Sequence, residues 1–486
     1  MDGIGGWARS VPDATAIVSL GRTLSFGELD ERQRSLIGAL RAMGIAERDR
    51  IAILSANRAE YLEVTTGCLR AGIVPVPINP LSVGPEIGYI VEDSGARVMI
   101  SDRPVELRPG LESLVMFGDA YERLLHEADG DELPAHARGR PMHYTSGTTG
   151  APKGVWVDPS PERRAAELSR AFRTSWGLQD DERHLVVSPL SHSAPHRFAL
   201  RTLEAGGAVM LIGRFDAPET LAAIELFGAT STFMVPTHLE RIMALGHAAR
   251  RRHDLSSVRL LAHAGAPIRA GTKRAAMDLF PSNTVWEFYG STEGQATRIS
   301  PEEWLAKPGS VGRAPSDSSV EIRDDDLHLV PPGATGDIWI RDPGAEPFEY
   351  WGDDDKTAAA WRDGAFTVGD QGWLDEDGYL YLTGRKHDTI ISGGVNVYPQ
   401  EVERVLEEHP AIAEAMVFGA PDPEWGQRVD AQIVLAETAA LDLEELGAWL
   451  RARLASFKCP RGYEKVDELP RTATGKLIRT HPLPTD

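Results

Sequence analysis

The sequence predicts an α/β fold, and three observations carry that prediction. Helix and strand patterns alternate through the first half of the chain. Short strands and turn signals crowd together after about Gly312, and the tail from about residue 386 mixes helices and strands in a small segment. At 486 residues the chain is too long for one ordinary domain. Its 42% apolar and 25% charged residues are the profile of a globular protein with a normal core.

The elements follow in order. Ser25 and Glu28 have capping-box spacing, and Leu29, Leu36, Ile37, Leu40 and Met43 recur with helical period behind them. Residues 50–54 read as a short buried strand and 59–69 as a helix. The run Ile73-Val74-Pro75-Val76-Pro77-Ile78 is a strand whose prolines predict an edge or an end. Residues 185–187, 208–212 and 231–235 fit strands lying between helical patterns, which implies largely parallel sheets. Past Gly312 the turn signals Asp324-Asp325-Asp326, Pro331-Pro332-Gly333 and Asp375-Glu376-Asp377-Gly378 mark a β-rich unit. In the tail, a helix over 399–408 stops before Pro410 and strands follow at 415–418 and 431–435. A second helix there places Leu443, Leu446, Leu450 and Leu454 on one stripe.

Charge and cysteine content narrow the function. The chain has 51 lysines and arginines against 72 acidic residues, a net charge of −21. Such a surface has no general attraction for nucleic acid or anionic membrane, though it is compatible with a local basic site for an anionic cofactor. Cys68 and Cys459 are the only two cysteines, too few for a disulfide framework or a CxxC zinc ribbon, and this predicts a reducing, cytoplasmic location. No signal peptide is read at the amino terminus. The most apolar stretch, residues 71–85, carries four prolines and falls short of a membrane span.

The strongest local signal is Tyr144-Thr145-Ser146-Gly147-Thr148-Thr149-Gly150-Ala151-Pro152-Lys153-Gly154. Its glycines let backbone N–H groups approach an anion, its hydroxyls add donors, and Lys153 adds a point charge. It lacks the GxxxxGK[ST] spacing of the common nucleoside triphosphatases. A plain polar turn rarely combines three glycines and four hydroxyls with a lysine.

This segment resembles the phosphate loop of the adenylate-forming superfamily, which includes acyl-CoA synthetases, nonribosomal peptide adenylation domains and firefly luciferase. Other positions agree with the family's motifs in order. Gly265-Ala266-Pro267 looks like the adenine-side loop, and Glu287-Phe288-Tyr289-Gly290-Ser291-Thr292-Glu293 contains the aromatic-Gly-x-Thr-Glu motif. Gly369-Asp370 and Gly384-Arg385 resemble the ribose-binding pair, and Pro470-Arg471-Thr472-Ala473-Thr474-Gly475-Lys476 the closing lysine motif. Pro189-Leu190-Ser191-His192-Ser193-Ala194-Pro195, residues 299–304 and Ile391-Ser392-Gly393-Gly394-Val395-Asn396-Val397-Tyr398-Pro399 look most like bacterial medium/long-chain and bile-acid CoA ligases.

The resemblance implies a large amino-terminal adenylation domain of layered α/β subdomains, residues 1–385, whose β-rich part spans about 312–385. It also implies a small mobile α+β domain over 386–486. The implied reaction is attack of an acid on the α-phosphorus of ATP, with Mg²⁺ held by Glu293 beside Thr148 and Thr149. Tyr289 would stack on adenine, Thr292 would bind the α-phosphate, and Asp370 and Arg385 would bind the ribose. Lys476 would reach the transferring oxygens. The hinge would fall at His387, where relatives usually carry Asp or Lys. If the protonation of His387 biases the two domain orientations, rates change between pH 6 and 8. After rotation Ser392, Gly393, Gly394 and Asn396 would face the site and let a pantetheine arm pass; some relatives have lysine where Ile391 stands.

The implied acid pocket is His192, Ser193, His196, Arg197, Ala264, Gly265, Gly290, Gln295 and Arg298. His196, Arg197, Gln295 and Arg298 are a polar set for an alkyl chain and point to a small, polar or aromatic acid. CoA is the expected acceptor, from a monomer or homodimer. A carrier protein is an alternative acceptor, and an ATP-dependent diazotase using nitrite and an aromatic amine is an alternative chemistry. Three other patterns have blander readings. Residues 375–378 form a turn rather than a calcium loop, since the later ligands are missing. His192 and His196 are interrupted by Pro195 and lack an HExxH pattern. Residues 250–253 are a solvated helix end.

Overall fold

The computed structural model describes residues 2–19, 21–106, 110–145, 152–392, 395–422, 425–436, 441–471 and 477. They divide into two compact units. One comprises residues 1–264, 274–295 and 343–360, the other 265–273, 296–342 and 361–486.

Seven strands of the first unit lie side by side in the order Val285–Gly290, Leu260–His263, Ser231–Met234, Arg183–Val186, Ala208–Leu211, Thr15–Ser19 and Arg22–Ser25. All neighbours are parallel except the closing hairpin of the last two. A second sheet holds four parallel strands, Val74–Ile78, Arg50–Leu54, Val98–Ser101 and Ser113–Met116. Val74–Ile78 is its edge, where Pro75 and Pro77 remove no ladder bond that a further strand would need. The strand Arg50–Leu54 is buried on both faces. Ile51 and Ile53 enter the cluster shared with Val186, Leu190 and Leu211, whereas Ala52 and Leu54 enter another with Val76, Met142 and Trp156. That two-sided burial is why its sequence is a continuous apolar run.

Helix Phe26–Ala42 starts on the expected capping box: the Ser25 hydroxyl accepts from Glu28 N at 3.2 Å, and the Glu28 carboxylate accepts from Ser25 N at 2.7 Å. Leu29, Leu36, Ile37 and Leu40 are fully buried, and Met43 packs against them. A three-stranded antiparallel sheet, His143–Thr145, Lys153–Trp156 and Glu349–Tyr350, completes the unit's strands.

In the second unit, Trp361–Arg362, Ala365–Phe366, Gly336–Arg341, Asp370–Leu374 and Leu380–Arg385 form an antiparallel sheet, with Ser319–Arg323 paired to Gly336–Arg341. The turn at 375–378 carries its own cation, because Lys307 Nζ donates to Asp375 at 2.8 Å and Asp377 at 2.5 Å. The tail builds a five-stranded sheet around Ile412–Asp422 and Gly426–Leu435, packed against helices Pro399–Glu407 and Leu443–Arg451. Several details differ from expectation, among them the strand expected over 431–435, which begins at Gly426, and the one over 185–187, which spans Arg183–Val186. The strand over 415–418 extends to Ile412–Asp422 because its partner pairs along the full length, Asp422 opposite Gly426. Leu443 opens its helix beside the capping Asp442 and is 43% exposed, leaving Leu446, Leu450 and Leu454 as the buried stripe. Among the described residues no helix is long and apolar enough to cross a membrane.

Candidate active site

Parallel pairing places the carboxyl ends of Arg183–Val186, Ser231–Met234, Leu260–His263 and Val285–Gly290 on one edge of the large sheet. Ligands of open α/β sheets bind along such an edge. The segments that leave it carry many of the expected residues of the first unit. His192 and Ser193 open helix Ser193–Ala205, with His196 and Arg197 in its first turns. Ala264 follows Leu260–His263, and Gly290 ends its strand and leads to Ser291, Thr292 and Glu293. Within that last strand Phe288 joins an aromatic cluster, 5.5 Å from Trp176 and 6.0 Å from Phe233 between centroids. Tyr289 and Glu287 are buried on the other face, where Glu287 lies 3.9 Å from His263 Nε2.

The turn after Gly290 is tight. Ser291 N donates to Gly294 O at 2.8 Å, and a Cβ at Gly290 would stand 2.7 Å from that oxygen. Only glycine fits there. Two residues that the sequence reading did not single out hold this corner. Arg140 Nη1 donates to the carbonyls of Thr292 at 2.9 Å and Glu293 at 3.2 Å, and Nη2 to Glu293 O at 3.3 Å. Tyr350 donates its hydroxyl to Glu293 Oε1 at 2.9 Å. Neither is visible as a motif, since their partners lie far along the chain and Arg140 binds backbone oxygens.

The phosphate-loop segment leaves and re-enters the fold as a hairpin, with Thr145 opposite Lys153 and Tyr144 opposite Gly154. Ser146, Gly147, Thr148, Thr149 and Gly150 lie outside the described residues. The hairpin's base is anchored by side chains. Tyr144 donates to Asp93 at 2.7 Å, Tyr89 donates to Pro152 O at 2.9 Å, and Trp351 Nε1 donates to Asp93 O at 3.0 Å. Lys153 Nζ forms an ion pair with Asp353 at 3.4 Å.

Burial sets the charge of the neighbouring groups. The His143 imidazole is held well below its usual range by burial, then by His196 and His192, against its bond to Ser191 O at 3.0 Å. Burial, with Arg201 and Arg197, lowers His196 to about 3. Both rings are neutral at neutral pH. The Arg140 guanidinium is pushed down by burial and by Arg197 and drawn back up by Glu293; it stays charged. The positive charge of this region therefore comes from its arginines, with His143 and His196 as neutral polar groups.

In the second unit, Asp370 and Arg385 face each other across paired strands, their ion pair 3.3 Å long. Gly369 has φ 80° and accepts, through its carbonyl, from Lys386 N at 2.9 Å. Lys386 Nζ donates to Asp325 and Asp337, both at 2.8 Å. Thr389 Oγ1 donates to Gln371 Oε1 at 3.0 Å, and Gln371 Nε2 to Asp337 at 3.0 Å. Gly265, at φ 95°, starts the segment with Ala266 and Pro267. Arg298 is half-buried; burial lowers its pKa while Glu303 and Asp317 raise it. Ser392 ends the Ile390–Ser392 strand, and Ile391 beside it is 56% exposed. Gly393, Gly394, Lys476 and the side chains of His387 and Asn396 lie outside the described residues.

Among the described residues no three His, Cys, Asp or Glu side chains are placed to hold a metal. Glu293 nonetheless suits magnesium, which needs only one protein carboxylate when phosphate oxygens and water complete its shell. Its Oε1 is fixed by Tyr350, and the side chain sits at the sheet edge described above.

Comparison with known proteins places this arrangement. The AMP-binding enzyme family model matches residues 6–347, and the AMP-binding enzyme C-terminal domain matches residues 401–476. A feruloyl-CoA synthase from an Amycolatopsis species is 36% identical over 493 aligned residues, covering 98% of this chain and 98% of that protein. A fatty acid–[acyl-carrier-protein] ligase from Streptomyces coeruleorubidus is 33% identical, covering 97% of this chain and 93% of that one. The o-succinylbenzoate CoA synthetase of Bacillus subtilis, solved with its acyl-adenylate intermediate, superposes with a TM-score of 0.86 at 29% identity, over 99% of this chain and 97% of its own. The same enzyme is solved with ATP and a magnesium ion. With both family models matched in order across one α/β chain, this protein belongs to the AMP-binding enzyme family, the adenylate-forming ligases of acyl-CoA synthetase type.

Proposed function

We propose that this AMP-forming ligase activates a small polar or aromatic carboxylic acid and passes it to CoA. The observation that carries the reading is the corner at Thr292–Glu293. It is fastened by Arg140 and Tyr350 at a strand-end edge that also presents His192 and Arg197. A carboxylate oxygen attacks the α-phosphorus of ATP, the bond from that phosphorus to the bridging oxygen breaks, and pyrophosphate leaves. The thiol sulfur of CoA then attacks the acyl carbon, giving its proton to solvent, and AMP leaves. Magnesium held by Glu293, with Thr148 and Thr149, would neutralise phosphate charge. Two anions must meet in the first step, so cationic Arg197, Arg140 and Lys476 suit it.

The relatives named for ferulate and o-succinylbenzoate favour an aromatic acid. We also propose that residues 386–486 turn about His387 as a separate domain between the two half-reactions, bringing Ser392, Gly393, Gly394 and Asn396 to the site.

The test is AMP release from Mg·ATP with each product identified by mass spectrometry. Aryl and alkyl carboxylates with CoA form one arm, the same acids with a carrier protein a second, and nitrite with an aromatic amine a third. Acid-dependent AMP with an acyl-CoA product is the expected result. AMP released only with nitrite overturns it.

A further inference from the structure

We propose that Arg140 is a positioning residue for adenylation, holding the Thr292–Glu293 peptide so that the Glu293 carboxylate faces the metal-bound nucleotide. The proposal rests on the adenylation reading above. One guanidinium donates to two successive carbonyls, Thr292 O at 2.9 Å and Glu293 O at 3.2 Å and 3.3 Å. Its planar fork is the side chain able to bridge both; an ammonium on a flexible stem makes a point contact. Arg140 is half-buried, and its charge is met by these two carbonyls as well as by Glu293.

The contact joins two parts of the machinery. Arg140 lies just before the His143–Thr145 strand, which leads into the phosphate-loop segment, and it grips the corner that carries Glu293. Tyr350 takes the same glutamate from its other end, through the carboxylate, and comes from the third strand of the same small sheet. Backbone and carboxylate of Glu293 are thus fixed independently, one from the segment leading into that sheet and the other from its third strand. Groups that orient a metal ligand in this way typically affect metal affinity or activity by roughly 10–100-fold.

The experiment compares wild type with Arg140→Lys, Arg140→Gln and Tyr350→Phe. It reads three quantities: the Mg²⁺ concentration giving half-maximal ATP binding by calorimetry without any acid, kcat and KM for acid-dependent pyrophosphate release, and Tm. We expect Arg140→Lys to fold with a Tm close to wild type, yet to need roughly 10-fold more Mg²⁺ and to lose roughly 10-fold or more in kcat, with KM for the acid little changed. Tyr350→Phe should move the Mg²⁺ midpoint the same way. Wild-type Mg²⁺ dependence and kcat in Arg140→Lys overturn the proposal, as does a Gln variant that loses only Tm. A wild type that binds Mg·ATP but releases no pyrophosphate with any acid sinks the adenylation reading instead, and the binding midpoints still decide the role of Arg140.

Discussion

Asp370 and Arg385, the pair expected to bind ribose, show what single residues can contribute. Each is the other's counter-ion at 3.3 Å, so the pair presents hydrogen-bonding atoms without a large net charge. A sugar diol can be read by such a pair, the carboxylate accepting from both hydroxyls and the guanidinium donating. Hydrogen bonds to charged groups contribute about 1.5–3 kcal/mol, and losing one hydroxyl should raise the KM for 2′-deoxy-ATP roughly 10–100-fold over ATP. Steady-state kinetics with the two nucleotides checks this, and equal KM values would remove the pair from ribose recognition. Residues of this kind were legible in the sequence because they stand inside contiguous motifs. Arg140 and Tyr350 were not, since one binds carbonyls and the other a glutamate 57 positions away.

At the scale of elements, the sequence located the strands but not their lengths: the strand over 431–435 begins at Gly426, and the one over 415–418 spans Ile412–Asp422. The latter runs to Asp422 because cross-strand pairing with Gly426–Leu435 carries the ladder through Gly419 and Pro421. Tertiary pairing overrides a local propensity worth only ~1 kcal/mol. The segment after Arg385 is short and heavily tied. Lys386 bridges Asp325 and Asp337, which raise its pKa, and Thr389 reaches Asp337 through Gln371. If rotation occurs about His387, this clamp sets how easily the chain turns. Lys386→Ala should change the rate of the CoA-dependent half-reaction by severalfold and leave single-turnover acyl-AMP formation nearly unchanged. Rapid-quench measurement of the two steps separates them, and equal changes in both would rule the clamp out as a rotation control.

Across the whole molecule, buried imidazoles make the fold acid-sensitive. Burial holds His184, His196 and His238 at about 3, and His143 well below its ordinary value. These folded-state values lie under the unfolded value of about 6.5, so protonation favours the unfolded chain. Their neutral forms cost nothing above pH 6.5, and stability is lost as pH falls from there toward 3. At 1.36 kcal/mol per pH unit, each should cost about 2 kcal/mol at pH 5. Glu204 adds to the trend at lower pH. Burial alone would raise its pKa, yet Arg201 and His136 bring it to about 2, so its contribution is lost as pH drops from the usual carboxylate range toward 2. The urea midpoint should fall steadily between pH 7 and pH 5, and less steeply in His184→Asn, which removes one buried imidazole. A flat profile, or an unchanged slope in that variant, would contradict this account.

The two-faced burial of Arg50–Leu54 has a consequence for how the large unit comes apart. Its odd residues share a cluster with the large sheet and its even residues share one with Met142 and with Trp156 of the hairpin. Peeling the small parallel sheet away would strip apolar surface from both sides at once. That unit should therefore lose its structure in a single cooperative step, with the amides of residues 51–54 exchanging only when everything around them opens.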